Sequence, residues 1–329
     1  MSFEPIYTSH VYSGLEPSQA FDVVYGTSFE HRLLSSGRAT LAHQRLMLGD
    51  ARLEMGQYNF PVVAQGCMPA NAICIGFMAA GGHATRLNTA TVGTDEIQLY
   101  PCGAELLYHA SAASHWVTFI VPQDRLQAVA VARTGRPLKM SRHVSYSVRV
   151  RSGGRAALAC LAGDAMGLAQ RLQSTGGLGA GLAEEIYDSL LTAYVDTLSN
   201  AVHVQLADCK KQSASKRHYR LISACEKLVL SGTETDVALT EIARRSGYSL
   251  RSLELIFRRS VGMPPGRWFM NARLNAALRE LLTCDEACSV SEIAMKWGFR
   301  HLPRFAQYYR AAFGELPRDT LRRPRLHPA

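Results

Sequence analysis

The feature that most constrains this chain is a repeat near its C-terminal end. Glu241-Ile242-Ala243 is followed by Gly247-Tyr248, and Glu292-Ile293-Ala294 is followed by Gly298-Phe299, 51 residues later. Phe257-Arg258 precedes Gly262 and Pro265, and Tyr309-Arg310 precedes Gly314 and Pro317, 52 residues later. A pattern copied at a fixed offset is one supersecondary unit used twice, here with one residue inserted after the second turn.

The unit has a physical reading. Ile242 and Ala243 give a short helix an apolar face, and the small Ala lets another helix approach closely. Gly247 stands where that helix ends in left-handed backbone. Tyr248 is expected to fill the core at the turn, and Ser249 to cap the next helix. That helix turns Leu253, Ile256 and Phe257 inward and leaves Arg251, Ser252, Glu254, Leu255, Arg258 and Arg259 outside. In the second copy Ile293, Ala294, Trp297, Phe299, Phe305 and Tyr309 are core. Arg300, His301, Leu302, Pro303, Arg304, Gln307 and Arg310 are left for the outer face, and Pro303 is tolerated in a first helical turn. A short helix, a glycine turn and a second helix with a polar, basic outer face make a helix-turn-helix, whose partner is double-stranded DNA. Between the copies, residues 265–284 read as one helix with Leu274, Leu278, Leu281 and Leu282 as its stripe. At about 27 Å it is long enough to hold two recognition helices about one DNA turn, ~34 Å, apart.

Charge agrees with this division. The net charge is +9, yet residues 1–200 net −1 and residues 201–329 net +10. A near-neutral region is joined to one suited to a polyanion. With 47% apolar and 19% charged residues the chain has material for packed cores, which excludes global disorder. No apolar run approaches the roughly 18 residues of a membrane span. Met1–Ser13 is polar and lacks a basic-then-apolar signal pattern, so a cytoplasmic protein is expected. Its eight cysteines form no C-x-x-C pair, which argues against structural zinc and for small buried hydrophobes in a reducing compartment.

Residues from about 20 to 150 read as short strands, with apolar runs at 56–63, 72–78, 96–100 and 116–121 broken by Gly, Pro and Asn. Regularly spaced short strands predict a barrel or sandwich. From about 154 to 206 the composition becomes helical. Ala156, Ala157, Cys160 and Leu161 open one stripe, and Leu190, Leu191, Tyr194, Val195 and Leu198 form another, with a flexible break at 174–181 between them. Asp208–Arg217 is short, polar and basic and reads as a linker. The expected organisation is an α+β two-domain chain: a sensing and dimerisation domain at 1–207, a linker at 208–216, and an all-α DNA-binding domain at 217–329.

Leu239-x-Glu241-Ile242-Ala243-x-x-x-Gly247-Tyr248-Ser249, Leu253-x-x-x-Phe257-Arg258 and Gly262-x-x-Pro265 resemble the AraC/XylS family of bacterial transcription regulators. So do Ser291-Glu292-Ile293-Ala294-x-x-x-Gly298-Phe299, Arg304-Phe305, Tyr309-Arg310, Phe313-Gly314 and Pro317, and the match covers about 217–325. The second half departs from the usual pattern at Pro303, where Ser is common, and at Gln307, where Arg is common. The stretch 300–305 is similar to a subgroup that includes ethanolamine-utilisation regulators. The resemblance implies an N-terminal cupin-like β-barrel that senses a small molecule, helices that dimerise, contact with RNA polymerase, and activation of transcription. The subgroup implies an amine or amine-pathway effector.

On that alignment Arg251, Ser252, Glu254 and Leu255 face base edges in the first unit. Arg304 and Gln307, with Leu302 in apolar contact, do so in the second. Arg suits guanine, Glu the cytosine amine, and Leu a thymine methyl. Arg258, Arg259 and Arg310 suit phosphates, and Arg300 and His301 complete the basic face. For an effector pocket the candidate walls are Tyr58, Phe60, Tyr108 and Trp116, with Arg45 and His83 as polar anchors. His83, His109 and His115 show no His-x-His arrangement, so neither a metal nor another cofactor is expected. Two alternatives stay open: a ligand-independent DNA binder whose first domain only dimerises, and a cupin enzyme with a DNA-binding tail.

Overall fold

The computed structural model describes residues 6–20, 29–35, 37–141, 145–203, 206–231, 239–284 and 288–323. The side chains of 202–213 and 216 are not among those described, and Met1–Pro5 and the Cys209 thiol lie outside the described residues.

The strands, in chain order, are β1 (Ile6–Ser13), β2 (Phe29–Leu33), β3 (Thr40–Leu48), β4 (Ala51–Tyr58), β5 (Val62–Cys67), β6 (Ile73–Ala80), β7 (Thr85–Leu87), β8 (Ala90–Thr91), β9 (Glu96–Tyr100), β10 (Glu105–Ala110), β11 (Ser114–Val121), β12 (Tyr146–Arg149) and β13 (Val202–His203). Among the described residues they form two antiparallel sheets, ordered β1-β3-β4-β11-β6-β9-β12-β13 and β2-β5-β10-β7-β8. The apolar run expected at 56–63 is not one strand. It straddles the end of β4 and the start of β5, divided at residues 59–61. Pro61 lacks an N–H for a ladder, and Asn59 Nδ2 turns back onto the Arg38 carbonyl.

Central strands of the larger sheet are apolar on both faces, because both are covered. Cys74, Met78, Tyr100, Trp116 and Ile120 point toward the smaller sheet and meet Phe29, Leu33, Val62, Leu106 and Tyr108. Ile73, Ile75, Phe77, Val117 and Phe119 point the other way. That outer face is roofed by helices α1 (Gln123–Thr134), α2 (Gly154–Gln173) and α3 (Ala180–Ser199). Leu190, Leu191, Tyr194, Val195 and Leu198 of α3 are buried as expected, with Tyr194 stacked on Phe119 at 4.8 Å. In α2 the buried face is Leu158, Ala162, Ala165, Met166 and Ala169, whereas Ala156, Ala157 and Cys160 are exposed. Alanine suits either face of a helix, so an Ala-rich stretch leaves its phase undetermined.

Helix α4 (Leu206–Leu230) runs through the segment read as a linker, so that segment is helical. It is followed by α5 (Leu239–Arg245), α6 (Leu250–Val261), α7 (Pro265–Thr283), α8 (Val290–Lys296), α9 (Leu302–Phe313) and α10 (Pro317–Leu321). Helix α7 is the pillar of this region, with Trp268, Phe269, Leu274, Leu278 and Leu281 all buried. Among the described residues no helix is long and apolar enough to cross a membrane.

The helical region docks on the outer face of the smaller sheet. Val63 and Leu107 pack against Tyr219 and Ile222 of α4 and Trp268 and Phe269 of α7. Around this patch lies a buried charged seam. Arg32 on β2 donates from Nη1 and Nη2 to the two carboxylate oxygens of Glu226 on α4, at 2.7 and 2.5 Å, and from Nε to Glu30 at 2.6 Å. Trp268 Nε1 donates to Glu226 at 2.7 Å, and Arg279 Nη1 lies 2.9 Å from Glu30. Burial raises the Glu30 carboxyl, but the guanidinium groups of Arg32 and Arg279 outweigh it and hold the group below the usual carboxylate range. Asn275 on α7 accepts from the Leu33 N–H at 2.8 Å and donates to the Leu33 carbonyl at 3.1 Å, extending the β2 backbone pairing onto a helix.

Two of the described cysteines, Cys74 and Cys225, are buried, but Cys67, Cys102 and Cys160 are exposed, against the expectation of small buried hydrophobes. Cys67 ends β5 and Cys102 sits in the turn after β9, where the chain leaves the core.

Candidate nucleic-acid interface

Both repeat copies fold as matched units. In the first, Ile242 and Ala243 of α5 are buried, and Gly247 turns the chain at φ 74°. Ser249 caps α6 by accepting from the Ser252 N–H at 3.1 Å. Leu253, Ile256 and Phe257 face inward. Tyr248 does not fill the core: it is 39% exposed, whereas Phe299 at the matching place in the second copy is buried. In the second copy Ser289 and Glu292 form a reciprocal capping box on α8, and Gly298 turns at φ 81°. His301 caps α9, its Nδ1 accepting from the Arg304 N–H at 3.2 Å, so one ring nitrogen is committed to the backbone. Phe299, Phe305, Tyr309 and Phe313 form a continuous aromatic ladder with centroid spacings of 4.8, 5.6 and 4.7 Å.

Helix α7 fixes the second unit through Glu280, which accepts from Lys296 Nζ at 2.8 Å and Trp297 Nε1 at 2.7 Å. The first unit is held through its contacts with α4 and α7.

The outer faces are those expected. Arg251, Ser252, Leu255, Arg258 and Arg259 are exposed on α6, and Glu254 is half-buried. Arg300, His301, Leu302, Arg304, Gln307 and Arg310 are exposed at and along α9. Leu255 and Leu302 are 46% and 40% exposed, apolar groups held out on otherwise polar faces. The arginines divide into two kinds. Arg244 and Arg245 are tied to Glu241 at 2.6 and 2.7 Å, and their hydrogen bonds hold that carboxyl down at about 2. Arg251, Arg258, Arg259, Arg304 and Arg310 have no acidic partner among the described residues. The docking seam uses α4, α7 and β2 and covers neither outer face. Tyr308, 45% exposed on α9, belongs to this surface and was missed, because its neighbour Tyr309 claims the core position.

In the β region a small cavity lies between the sheets, lined by Met78, Leu87, Gln98, Tyr100, Tyr108, Trp116 and Thr118. Of the predicted pocket residues, Tyr108 and Trp116 line it. Tyr58 stands behind them, hydrogen-bonded to His31 Nε2 at 2.9 Å, with Phe60 edge-on at 5.7 Å. Arg45 pairs with Glu54 at 2.7 Å. His83 lies on a short turn and is not part of the lining. Gln98 and Thr118 were missed because each sits within an apolar run that reads as plain core.

Comparison with known proteins places the C-terminal region. A family model described as a helix-turn-helix domain matches residues 242–323. The chain is 42% identical over 89 residues to the XylDLEGF operon transcriptional activator of Pseudomonas putida, covering 26% of this chain and 27% of that protein. It is 32% identical over 109 residues to the HTH-type transcriptional activator AarP of Providencia stuartii, covering 32% of this chain and 79% of that protein. A solved transcriptional regulator from Chromobacterium violaceum, described as an AraC-type DNA-binding domain-containing protein, is 27% identical over 31% of this chain and 89% of its own, with a TM-score of 0.29. The match to the operon activator spans about a quarter of that relative's length.

Proposed function

The chain belongs to the AraC/XylS family of helix-turn-helix transcription regulators, and from that premise we propose that it is an effector-responsive activator whose α6 and α9 read two half-sites on one face of a DNA duplex. The observation that carries this reading is the repeated, exposed recognition face, on which Arg251, Arg258, Arg259, Arg304 and Arg310 have no acidic partner among the described residues. The division at 1–207, 208–216 and 217–329 follows the charge asymmetry, with α4 as a helical connector. The paired sheets act as a cupin-like sensing domain, supported by the small inter-sheet cavity. The protein works in the cytoplasm as a homodimer that presents DNA to RNA polymerase. Its effector acts by binding the DNA-competent state more tightly than the other. It is a regulator and not an enzyme.

Selection of genomic DNA fragments with the purified full chain, followed by sequencing, tests this. The expected motif has two half-sites about one turn, ~34 Å, apart. Arg251→Ala and Arg304→Ala each weaken binding by about 1–3 kcal/mol and relax one half-site only. Arg258→Ala or Arg310→Ala weakens all sequences alike and lowers the slope of log affinity against log salt by about 1. Wild-type affinity that does not change with salt would overturn the assignment.

A further inference from the structure

The two recognition helices begin differently. Ser249 caps α6 with its single oxygen, which accepts from the Ser252 N–H at 3.1 Å and bonds the Ser252 hydroxyl at 2.8 Å. That oxygen is engaged within the helix. Helix α9 begins instead with His301, although an imidazole is not among the side chains that favour this position. Its Nδ1 accepts from the Arg304 N–H at 3.2 Å. A ring nitrogen that accepts carries no proton, so the ring is neutral and its one proton sits on Nε2. A positive ring would lose the cap and would face the positive end of the α9 dipole. His301 is exposed, and its Nε2 has no partner among the described residues.

The rest of this first turn is poor in backbone donors. Pro303 has no N–H, and that of Arg304 is taken by the cap. The backbone clamp that a helix start offers an anion is weakened accordingly. Residues 301–304 are all exposed, so the ring stands in the open beside Leu302 and Arg304. We propose that His301 meets the duplex as a neutral single donor, its Nε2–H bonding an acceptor atom of DNA, and not as one more cation of the basic face. This rests on the DNA-reading assignment above and specifies the part of one residue in it. The acceptor is a purine N7 in the major groove or a phosphate oxygen. In either case the contact releases no counterion, in contrast to those of Arg258 and Arg310.

The test uses the full chain and the site recovered by the genomic selection, at neutral pH. His301→Asn keeps a cap of the preferred kind and withdraws the outward donor. Its Tm stays at the wild-type value, its affinity falls about 3- to 10-fold, and its slope of log affinity against log salt is unchanged. His301→Ala loses the cap as well and lowers both Tm and affinity. Modified DNA separates the two acceptors. For a purine N7, a 7-deazapurine at one position weakens wild type and leaves His301→Asn unaffected. For a phosphate oxygen, a neutral methylphosphonate linkage at one position does the same. Wild-type affinity in His301→Asn would reduce the ring to a cap and overturn the proposal. So would a slope lowered by about 1, the mark of a cation, or an equal response of both proteins to every replacement. In each of those outcomes wild type still binds specifically and the regulator assignment stands. Absence of specific binding by wild type would instead overturn both.

Discussion

Glu226→Leu alone lowers the unfolding free energy by about 3–5 kcal/mol, the usual cost of leaving a buried charge unpaired. Arg32 is 3% exposed and gives both Nη groups to this one carboxylate. Without it the guanidinium keeps only Glu30 and Gln65, and Trp268 loses its acceptor. Adding Arg32→Leu restores most of the loss, because removing both charges removes the desolvation penalty with the attraction. Urea unfolding of wild type, the single variant and the double variant at one pH measures this. An unchanged midpoint for Glu226→Leu would mean that the docked seam does not form in solution.

Acid has an effect of similar size, through histidines. Burial pushes His31 and His109 down to about 4 and His43 to about 3, with the Arg86 charge assisting at His109 and Arg45 at His43. An unfolded histidine takes its proton near 6.5, so below that pH the unfolded chain binds protons that the folded chain refuses. The stability is therefore fully present above pH 6.5 and is lost as pH falls toward 4. A tenfold weaker hold on the proton in the folded state corresponds to about 1.4 kcal/mol, so each ring contributes on the order of 3 kcal/mol across that window. Glu30 acts lower. Its depressed pKa gives stability that is present above the ordinary carboxylate range and lost as pH falls through the folded value. Urea midpoints at pH 7, 6 and 5 should fall steeply, and His31→Gln should flatten the slope by about 1.4 kcal/mol per pH unit. Equal stability at pH 7 and pH 5 would contradict buried neutral rings.

The helix-turn-helix units were legible because each depends on local chemistry: a cap at Ser249, a positive φ at Gly247 and Gly298, and an inward set at spacings of three and four. The α3 stripe was legible for the same reason. What was not legible depends on contacts distant in sequence. The α2 phase is chosen by the sheet beneath it, the helical state of 208–216 by the helix it joins, and the burial of Gln98 by strands about 20 residues away on either side. Tyr248 and Phe299 follow the same left-handed glycine turn, yet only Phe299 is buried, so it is the packing around each unit and not the turn that decides which aromatic enters the core. The docking seam left no trace in periodicity, since Arg32 and Glu226 are separated by 194 residues.

Strand β2 belongs to two compartments at once. His31 turns inward to Tyr58, behind the cavity wall, while Arg32 turns outward to Glu226 and the next backbone unit, Leu33, is gripped by Asn275 of the helix that carries both DNA-reading units. The partition between the inter-sheet core and the helical region is thus one polypeptide thick, and its two sides are one Cα step, about 3.8 Å, apart along the chain. A tilt of the His31 peptide would therefore be shared directly with Arg32 and Leu33, and through them with Glu226 and Asn275, with no intermediate side chain between the two regions.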